Sequence, residues 1–185
     1  AYTAACKVEQ LVTQVFVAMG MTMATYCGQN RGINDLERIK KGSRIAFWIS
    51  SIYAVFIYVA VQFALPWIIR LFVSENIDQV LVYARTYIVI CGAFFIPLGM
   101  IYIYRNVMQS CGYAFMPMMG GVVELVSRAV LAVVAASLLS YEGVCLANAS
   151  AWCFAGIFLF VAYRFTMKKM ERDKAAAQAA GEQAA

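Results

Sequence analysis

Long apolar runs separated by short charged segments dominate the chain. Residues Ile45–Ile69, Thr86–Tyr104 and Gly143–Tyr163 contain no charged side chain at all. Because a bilayer core about 30 Å thick needs about 20 apolar helical residues, each run predicts a transmembrane helix. The sequence therefore predicts an all-α, polytopic membrane bundle with five spans. The expected spans are 4–27, 45–69, 84–105, 115–139 and 143–164, and a cytoplasmic tail, 173–185, is expected to be disordered.

Composition supports the membrane interpretation. The chain of 185 residues is 63% hydrophobic and 14% charged, against roughly 45–50% and about 25% in a soluble domain. A soluble helical core is the alternative, but buried helices rarely stay uncharged over such lengths. In a soluble protein a net charge of +5 would suggest nucleic acid. In a membrane protein it indicates basic loops, so no nucleic-acid partner is expected.

The basic residues are distributed unevenly between the two sides of the predicted bundle. Eleven Lys and Arg residues fall in the loop after the first span, at Arg105 and in the tail, against Lys7, Arg70 and Arg85 on the other side. The positive-inside rule makes the richer side cytoplasmic. Five spans with a cytoplasmic C-terminus place the N-terminus outside, which predicts a missing upstream span. The chain is thus interpreted as the C-terminal part of a longer protein.

A few ionisable and polar residues interrupt the predicted spans. Glu124 and Arg128 are four residues apart on one helix face, and each charge near a bilayer centre costs roughly 2.5–3.5 kcal/mol on insertion scales. Either they neutralise each other within the packing, or they face a polar cavity where Glu124 exchanges a proton or meets a cation. Gln10 and Gln14 form a polar stripe that serves helix packing or lines a cavity. Glu9 lies near a helix end, where solvation is the simpler explanation.

Components of an enzyme or a metal site are missing from the sequence. It has no histidine, and its six cysteines are dispersed without a CxxC pair. Zinc binding and a disulfide framework are therefore improbable. With no clustered acids and no nucleophile–base pair at a readable spacing, we expect no catalytic residue, no metal and no cofactor.

Four segments occur in an order that is specific when taken together. They are AYTAACKVEQ (1–10), TMATYCGQNRG (22–32), FIPLG with RNVMQ (95–109), and MPMMGGVVEL with Arg128 (116–128). Over about residues 1–172 this set resembles the multidrug and toxic compound extrusion (MATE) family of bacterial efflux transporters. The resemblance makes Gly28, Gln29, Asn30 and Gly32 a family-signature cytoplasmic loop.

The resemblance implies a fold, a location and a set of partners. MATE transporters have two six-span lobes around a central cavity and lie in the bacterial cell (inner) membrane. The five spans would be the C-terminal lobe without its first helix, and the missing N-terminal lobe and the lipid bilayer would be its partners. Small-molecule drugs or organic cations would leave in exchange for H+ or Na+. The residues expected at the site are Glu124 and Arg128 for transport or coupling, with Gln10, Gln14, Phe94 and Phe95 lining the cavity.

Three functions follow, in order of preference. The first is part of a secondary active antiporter that works by alternating access between two lobes. The second is a lipid-linked saccharide flippase of the same superfamily, which would be expected to carry more cavity cations than Arg128 alone. The third is a membrane scaffold subunit, which predicts stable co-purification with a partner and no substrate flux. Since no acid lies between Thr86 and Tyr104, the resemblance argues against the sodium site that some relatives have on that helix.

Overall fold

The computed structural model describes residues 2–72, 77–137 and 141–184. Within these ranges the chain folds into six α-helices and contains no β-strand, as the apolar runs predict. The helices are α1 (Tyr2–Gly32), α2 (Leu36–Phe72), α3 (Ile77–Gly92), α4 (Phe95–Ser110), α5 (Phe115–Ser137) and α6 (Tyr141–Ala184).

Most of these helices are suited to a bilayer. Four are long and apolar enough to cross a membrane, namely α1, α2, α5 and α6. The pair α3 and α4 passes the same test jointly and is bent by 53°, which gives up to five spans if the pair counts as one. The last residues of the predicted fourth span, 138 and 139, lie outside the described residues.

The bend between α3 and α4 lies just before a proline. The helix breaks after Gly92, and Pro97 occupies the first turn of α4. Proline lacks a backbone N–H, but the first four N–H groups of a helix have no intrahelical acceptor anyway. Pro97 therefore lies where a helix tolerates proline, and the third predicted span is two helices joined at a bend.

The turn between α1 and α2 differs from its prediction. The resemblance makes Gly28 and Gly32 part of a loop, yet both lie inside α1, which ends at Gly32. The residue with a left-handed backbone in this turn is Asn34, with φ of 55°. Asp35 then caps α2, because its Oδ1 accepts from the Arg38 N–H at 3.1 Å.

Helix α4 lies at the centre of the bundle and contacts α1, α2, α5 and α6. Its Phe95 packs edge-on against Phe16 of α1 at 6.3 Å between ring centroids, and Phe16 also meets Tyr53 of α2 at 5.2 Å. Helix α5 packs against α6 and α4 and leaves apolar side chains such as Leu125 and Val133 exposed. One side of α5 is therefore available to lipid or to another part of the protein.

The C-terminal segment is helical where disorder is expected from the sequence. Helix α6 continues through residues 173–184. Ala, Lys, Glu and Gln, which dominate this segment, are strong helix formers. Contacts hold the extension against the α1–α2 turn: Lys174 Nζ donates to the Asn34 carbonyl at 2.9 Å, and Glu171 pairs with Lys40. The segment thus forms part of the charged end of the bundle.

Candidate functional site

A cavity of about 340 Å³ opens among α1, α3, α4, α5 and α6. Carboxylates, guanidinium groups, amides and hydroxyls line it, although the surrounding helices are apolar. Polar groups among membrane-spanning helices must contact one another, water or a ligand, because lipid cannot hydrogen-bond to them. Its lining consists of Cys6, Glu9, Gln10, Thr13, Tyr87, Leu98, Ile101, Tyr102, Arg105, Glu124, Arg128, Asn148 and Trp152.

Glu124 is held between two arginines. Its Oε1 accepts from Arg128 Nη2 at 2.8 Å, along one face of α5, and its Oε2 lies 3.5 Å from Arg105 Nη2 on α4. The predicted Glu124–Arg128 pair is therefore present, but it belongs to a group of three. The Arg105 pair joins α4 to α5, the Arg128 pair lies within α5, and all three residues line the cavity, whereas proton exchange or cation binding at Glu124 stays a prediction.

Arg105 has a different position from the one that the sequence indicates. It was assigned to the loop after the third span and counted among the cytoplasmic charges. Helix α4 continues to Ser110, so Arg105 lies inside the helix and contributes to the cavity instead. Its Nε and Nη2 atoms are buried and make no hydrogen bond in the described part of the chain, so the 3.5 Å contact of Nη2 with Glu124 is an ion pair only. Removing Arg105 from the count still leaves ten basic residues against three.

The end of α4 explains why Arg105 remains helical. Gly112 follows the helix with φ of +90°, a left-handed conformation that suits glycine. Its N–H donates to the Gln109 carbonyl at 3.0 Å, and the Tyr113 N–H donates to the Met108 carbonyl at 2.9 Å. This pattern is a Schellman C-cap, which terminates the helix beyond Ser110 and not at Tyr104.

A second polar cluster surrounds Glu9. The Tyr87 hydroxyl donates a short hydrogen bond to Glu9 Oε2 and accepts from Asn148 Nδ2 at 3.3 Å and from the Cys6 thiol at 3.6 Å. These contacts tie α1, α3 and α6 together. Sequence reasoning considered Glu9 a solvated residue near a helix end, whereas in the structure it is half-buried and lines the cavity. The signal that could have indicated this is Thr13, four residues later on the same face.

The predicted cavity-lining residues have different positions. Gln10 lines the cavity, and Gln14 is exposed one turn further along α1. Phe95 is 1% exposed and belongs to the hydrophobic core, and Phe94 packs partly buried against that core. The structure thus brings Gln10 together with Glu124 and Arg128, and it assigns the aromatic pair to packing.

The signature segment 28–32 forms the last turns of α1. Asn30 is 7% exposed, and its Nδ2 donates to the Tyr26 carbonyl at 2.8 Å. A side chain added at Gly28 or Gly32 would meet nothing within 4 Å in the described structure. Of Gly28, Gln29, Asn30 and Gly32, none belongs to the cavity lining described above. Asn30 therefore stabilises the helix end, and the packing of this chain does not require glycine at 28 or 32.

The described residues hold no cluster of three or more His, Cys, Asp or Glu that could bind a metal ion. Glu9 and Glu124 line the same cavity but are engaged by Tyr87 and by arginines, respectively. The chemistry that this arrangement offers is proton exchange at carboxylates and recognition of charged or polar groups.

Comparison with known families gives a clear assignment. The family model MatE matches residues 1–134, well over half of the chain. The chain belongs to the MatE family. This is a family of membrane transporters, so the chain is part of a multi-pass membrane transporter fold. No curated protein matches the chain.

Solved structures share the fold of this MatE chain. An inward-facing multidrug resistance MATE transporter of the MOP superfamily aligns with a TM-score of 0.84 and 15% identity, over 92% of this chain and 40% of that one. An outward-facing multidrug resistance MATE transporter aligns with a TM-score of 0.84 and 14% identity, over 91% of this chain and 38% of that one. A third match is a MOP superfamily transporter from Pyrococcus furiosus Vc1, described as having a binding pocket of reverse polarity. It aligns with a TM-score of 0.84 and 15% identity, over 92% of this chain and 38% of that one. The chain thus spans about 40% of the length of these transporters.

Proposed function

We propose that this MatE chain is the C-terminal lobe of a secondary active exporter of drugs or organic cations. The observation that carries the proposal is the charged cavity, in which Glu9, Glu124, Arg105 and Arg128 line one space inside an apolar bundle. Ionisable residues inside membrane spans are costly and commonly mark substrate or ion pathways. In this proposal the partner that completes the pathway is an N-terminal lobe of the same polypeptide.

Alternating access by rocking of two rigid lobes is the proposed mechanism. Its support is that the chain aligns equally well, with a TM-score of 0.84, to an inward-facing and to an outward-facing transporter. A lobe of one shape can therefore take part in both states without rearranging internally. The rocking would then occur at the surface where this lobe meets its partner.

One exposed face of α1 is suited to that surface. Gln10, Gln14, Thr22 and Thr25 are exposed on α1 at helical spacing, and Gln10 also lines the cavity. The Thr22 and Thr25 hydroxyls donate to carbonyls of their own helix, but the glutamine amides would lack hydrogen-bond partners in lipid, whereas at a water-filled pathway they are solvated. We therefore propose that this face of α1 points toward the partner lobe and the central pathway.

Coupling to an ion gradient is assigned to the two cavity carboxylates. A carboxylate that opens to each side in turn can bind a proton or Na+ on one side and release it on the other. Binding of substrate or ion would affect Glu124 through its two arginines, and it would affect Glu9 through Tyr87 and Asn148. The bacterial inner membrane, with the C-terminus in the cytoplasm, is the proposed location.

The test is dye efflux from vesicles that carry the full-length protein. Glu9→Gln and Glu124→Gln keep the side-chain size and remove the charge. The matched control is Glu37→Gln, because the Glu37 side chain is 85% exposed and lies at the start of α2. We expect gradient-driven efflux to fall at least tenfold in one or both cavity variants and to persist in the control. Efflux at the wild-type rate in both cavity variants would remove these carboxylates from the mechanism.

The same vesicles identify the coupling ion. If a proton gradient drives efflux, a protonophore abolishes it at constant Na+. If a sodium gradient drives efflux, removal of external Na+ abolishes it at constant pH. Absence of flux under both gradients, with stable co-purification of another membrane protein, would instead support the scaffold function.

A lipid-linked saccharide flippase is the second candidate. The observation that favours it is Arg105, which adds a second cavity cation beside Arg128. Guanidinium groups recognise phosphates in a bidentate manner, and a lipid-linked saccharide carries phosphate. Flipping of a fluorescent lipid-linked saccharide in proteoliposomes, without efflux of cationic dyes, would decide for this function.

A further inference from the structure

A second cavity of about 600 Å³ lies between α2, α4 and α6. It is separate from the cavity proposed for transport. On α4 it uses Met100 and Tyr104, whereas the transport cavity uses Leu98, Tyr102 and Arg105. The two spaces thus lie on different faces of α4, and we call the second one the basic groove. Its lining consists of Lys40, Ser43, Arg44, Phe47, Trp48, Met100, Tyr104, Phe160, Tyr163, Arg164, Met167, Lys168 and Glu171.

On each of the two long helices that line the groove, α2 and α6, the lining side chains are charged at one end and aromatic at the other. On α2, Lys40 and Arg44 come first, and Phe47 and Trp48 follow about one turn later. Since α2 leads from a charged turn into an uncharged run, its aromatic residues lie deeper in the membrane. The charged end of the groove is therefore at the membrane–water boundary.

Helix α6 shows the same change in the opposite chain direction. Phe160 and Tyr163 come first, and Arg164 and Lys168 follow. Because Glu171 of α6 pairs with Lys40 of α2, the charged ends of both helices are at the same level. The groove therefore has one basic end and one aromatic end.

The cations of the groove are only partly neutralised. Four basic side chains line it against one carboxylate, Glu171. Lys40 already pairs with Glu37 and Glu171. For Arg44, Arg164 and Lys168, no carboxylate lies within 4.0 Å in the described part of the chain; all three are exposed. The groove therefore presents an excess of positive charge.

We propose that the basic groove binds an anionic phospholipid. The phosphate lies among Arg44, Arg164 and Lys168, and an acyl chain lies along Trp48 and Phe160. A basic pocket between transmembrane helices at the boundary is suited to an anionic headgroup. A free phosphate would use the cations but would leave the aromatic end exposed, and a zwitterionic phospholipid would bring a headgroup cation of its own to the basic end. An amphiphile with a negative headgroup matches both ends.

The experiment uses the full-length protein, purified in detergent, and native mass spectrometry. Phosphatidylglycerol and phosphatidylcholine with identical acyl chains are titrated separately. The test variant is Arg44→Gln with Arg164→Gln. The control variant is Lys41→Gln with Arg172→Gln, which removes the same charge from exposed positions outside the groove lining.

We expect the wild type and the control to bind phosphatidylglycerol at least tenfold more tightly than phosphatidylcholine. The test variant is expected to lose at least tenfold in affinity for phosphatidylglycerol. If it does not purify as a folded species, Lys168→Gln alone is used, with an expected loss of at least threefold.

Three outcomes would overturn the proposal. One is equal affinity for the two lipids, which would mean that the net charge of the headgroup does not matter. Another is equal loss in the control variant, which would mean that overall charge and not the groove binds the lipid. The third is full displacement of bound lipid by inorganic phosphate at equal concentration, which would indicate a site for a free anion.

Discussion

A close approach of α4 and α6 at Gly156 permits a quantitative test of the packing. A Cβ atom at Gly156 of α6 would lie 3.1 Å from the carbonyl oxygen of Pro97 and 3.5 Å from its Cα. Small residues let membrane helices pack closely in this way. The perturbation is Gly156→Ala, which adds one methyl group toward the backbone of α4. Backbone cannot rotate away, so the helices themselves must separate by a few tenths of an ångström.

The expected cost follows from that separation. Overpacking a tight core typically costs about 1–3 kcal/mol, and a shift of a few tenths of an ångström belongs to the lower half of that range. Replacing a helical glycine by alanine also stabilises the helix, by up to about 1 kcal/mol. Gly28→Ala supplies the matched control, because Gly28 is also helical and its added Cβ meets nothing within 4 Å. The difference between the two variants isolates the clash, which we estimate at about 1–2 kcal/mol.

The assay is reversible unfolding of the full-length protein in mixed micelles with increasing sodium dodecyl sulfate. It yields a free energy of unfolding for the wild type and for each variant. We expect Gly156→Ala to be less stable than Gly28→Ala by about 1–2 kcal/mol. Equal stability of the two variants would refute the close α4–α6 packing at Gly156.

Three further predictions can be tested with the same unfolding assay. Gly112→Ala is expected to cost about 1–2 kcal/mol, because a non-glycine residue is strained at φ of +90°; no loss would contradict the Schellman cap. Tyr87→Phe is expected to cost about 1–3 kcal/mol, since it leaves the half-buried Glu9 carboxylate without its hydroxyl donor; a neutral effect would mean that water replaces the hydroxyl. Glu171→Gln is expected to cost less than about 1 kcal/mol, and less still at high salt, because the Lys40–Glu171 pair is 30% and 44% exposed; a larger, salt-independent loss would contradict a surface ion pair.

Features that depend on neighbouring residues could be predicted from the sequence. Uncharged runs of about 20 residues predict the long helices, because bilayer thickness sets their length. The i,i+4 spacing of Glu124 and Arg128 predicts their ion pair, because it follows from helix geometry alone. Family membership was likewise predicted from ordered local motifs, and the family model confirms it.

Features that depend on helix ends and on distant contacts could not be predicted. Arg105 is counted among the cytoplasmic charges because the third span is expected to end at residue 105, whereas α4 continues to Ser110 and Gly112 follows in its cap. Five extra helical residues place Arg105 inside the helix, where it lines the cavity. The helical tail was missed for a related reason, since composition alone does not reveal the contact of Lys174 with the α1–α2 turn.

The contact of Glu9 with Tyr87 shows most clearly what local sequence patterns do not predict. Glu9 and Tyr87 are 78 positions apart, and nothing in either local sequence specifies the other. Their contact lies where α3 packs against α1 and α6, and α3 departs from the axis of α4 by 53° at the break between Gly92 and Phe95. A straight span through this region would keep α3 on the axis of α4. The polar cluster around Tyr87 therefore depends on the course of α3, which contributes Tyr87 to the cavity lining. We therefore expect substitutions that straighten this bend to remove Tyr87 from the cavity while leaving both ion pairs of Glu124 intact, because one pair joins α4 to α5 and the other lies within α5.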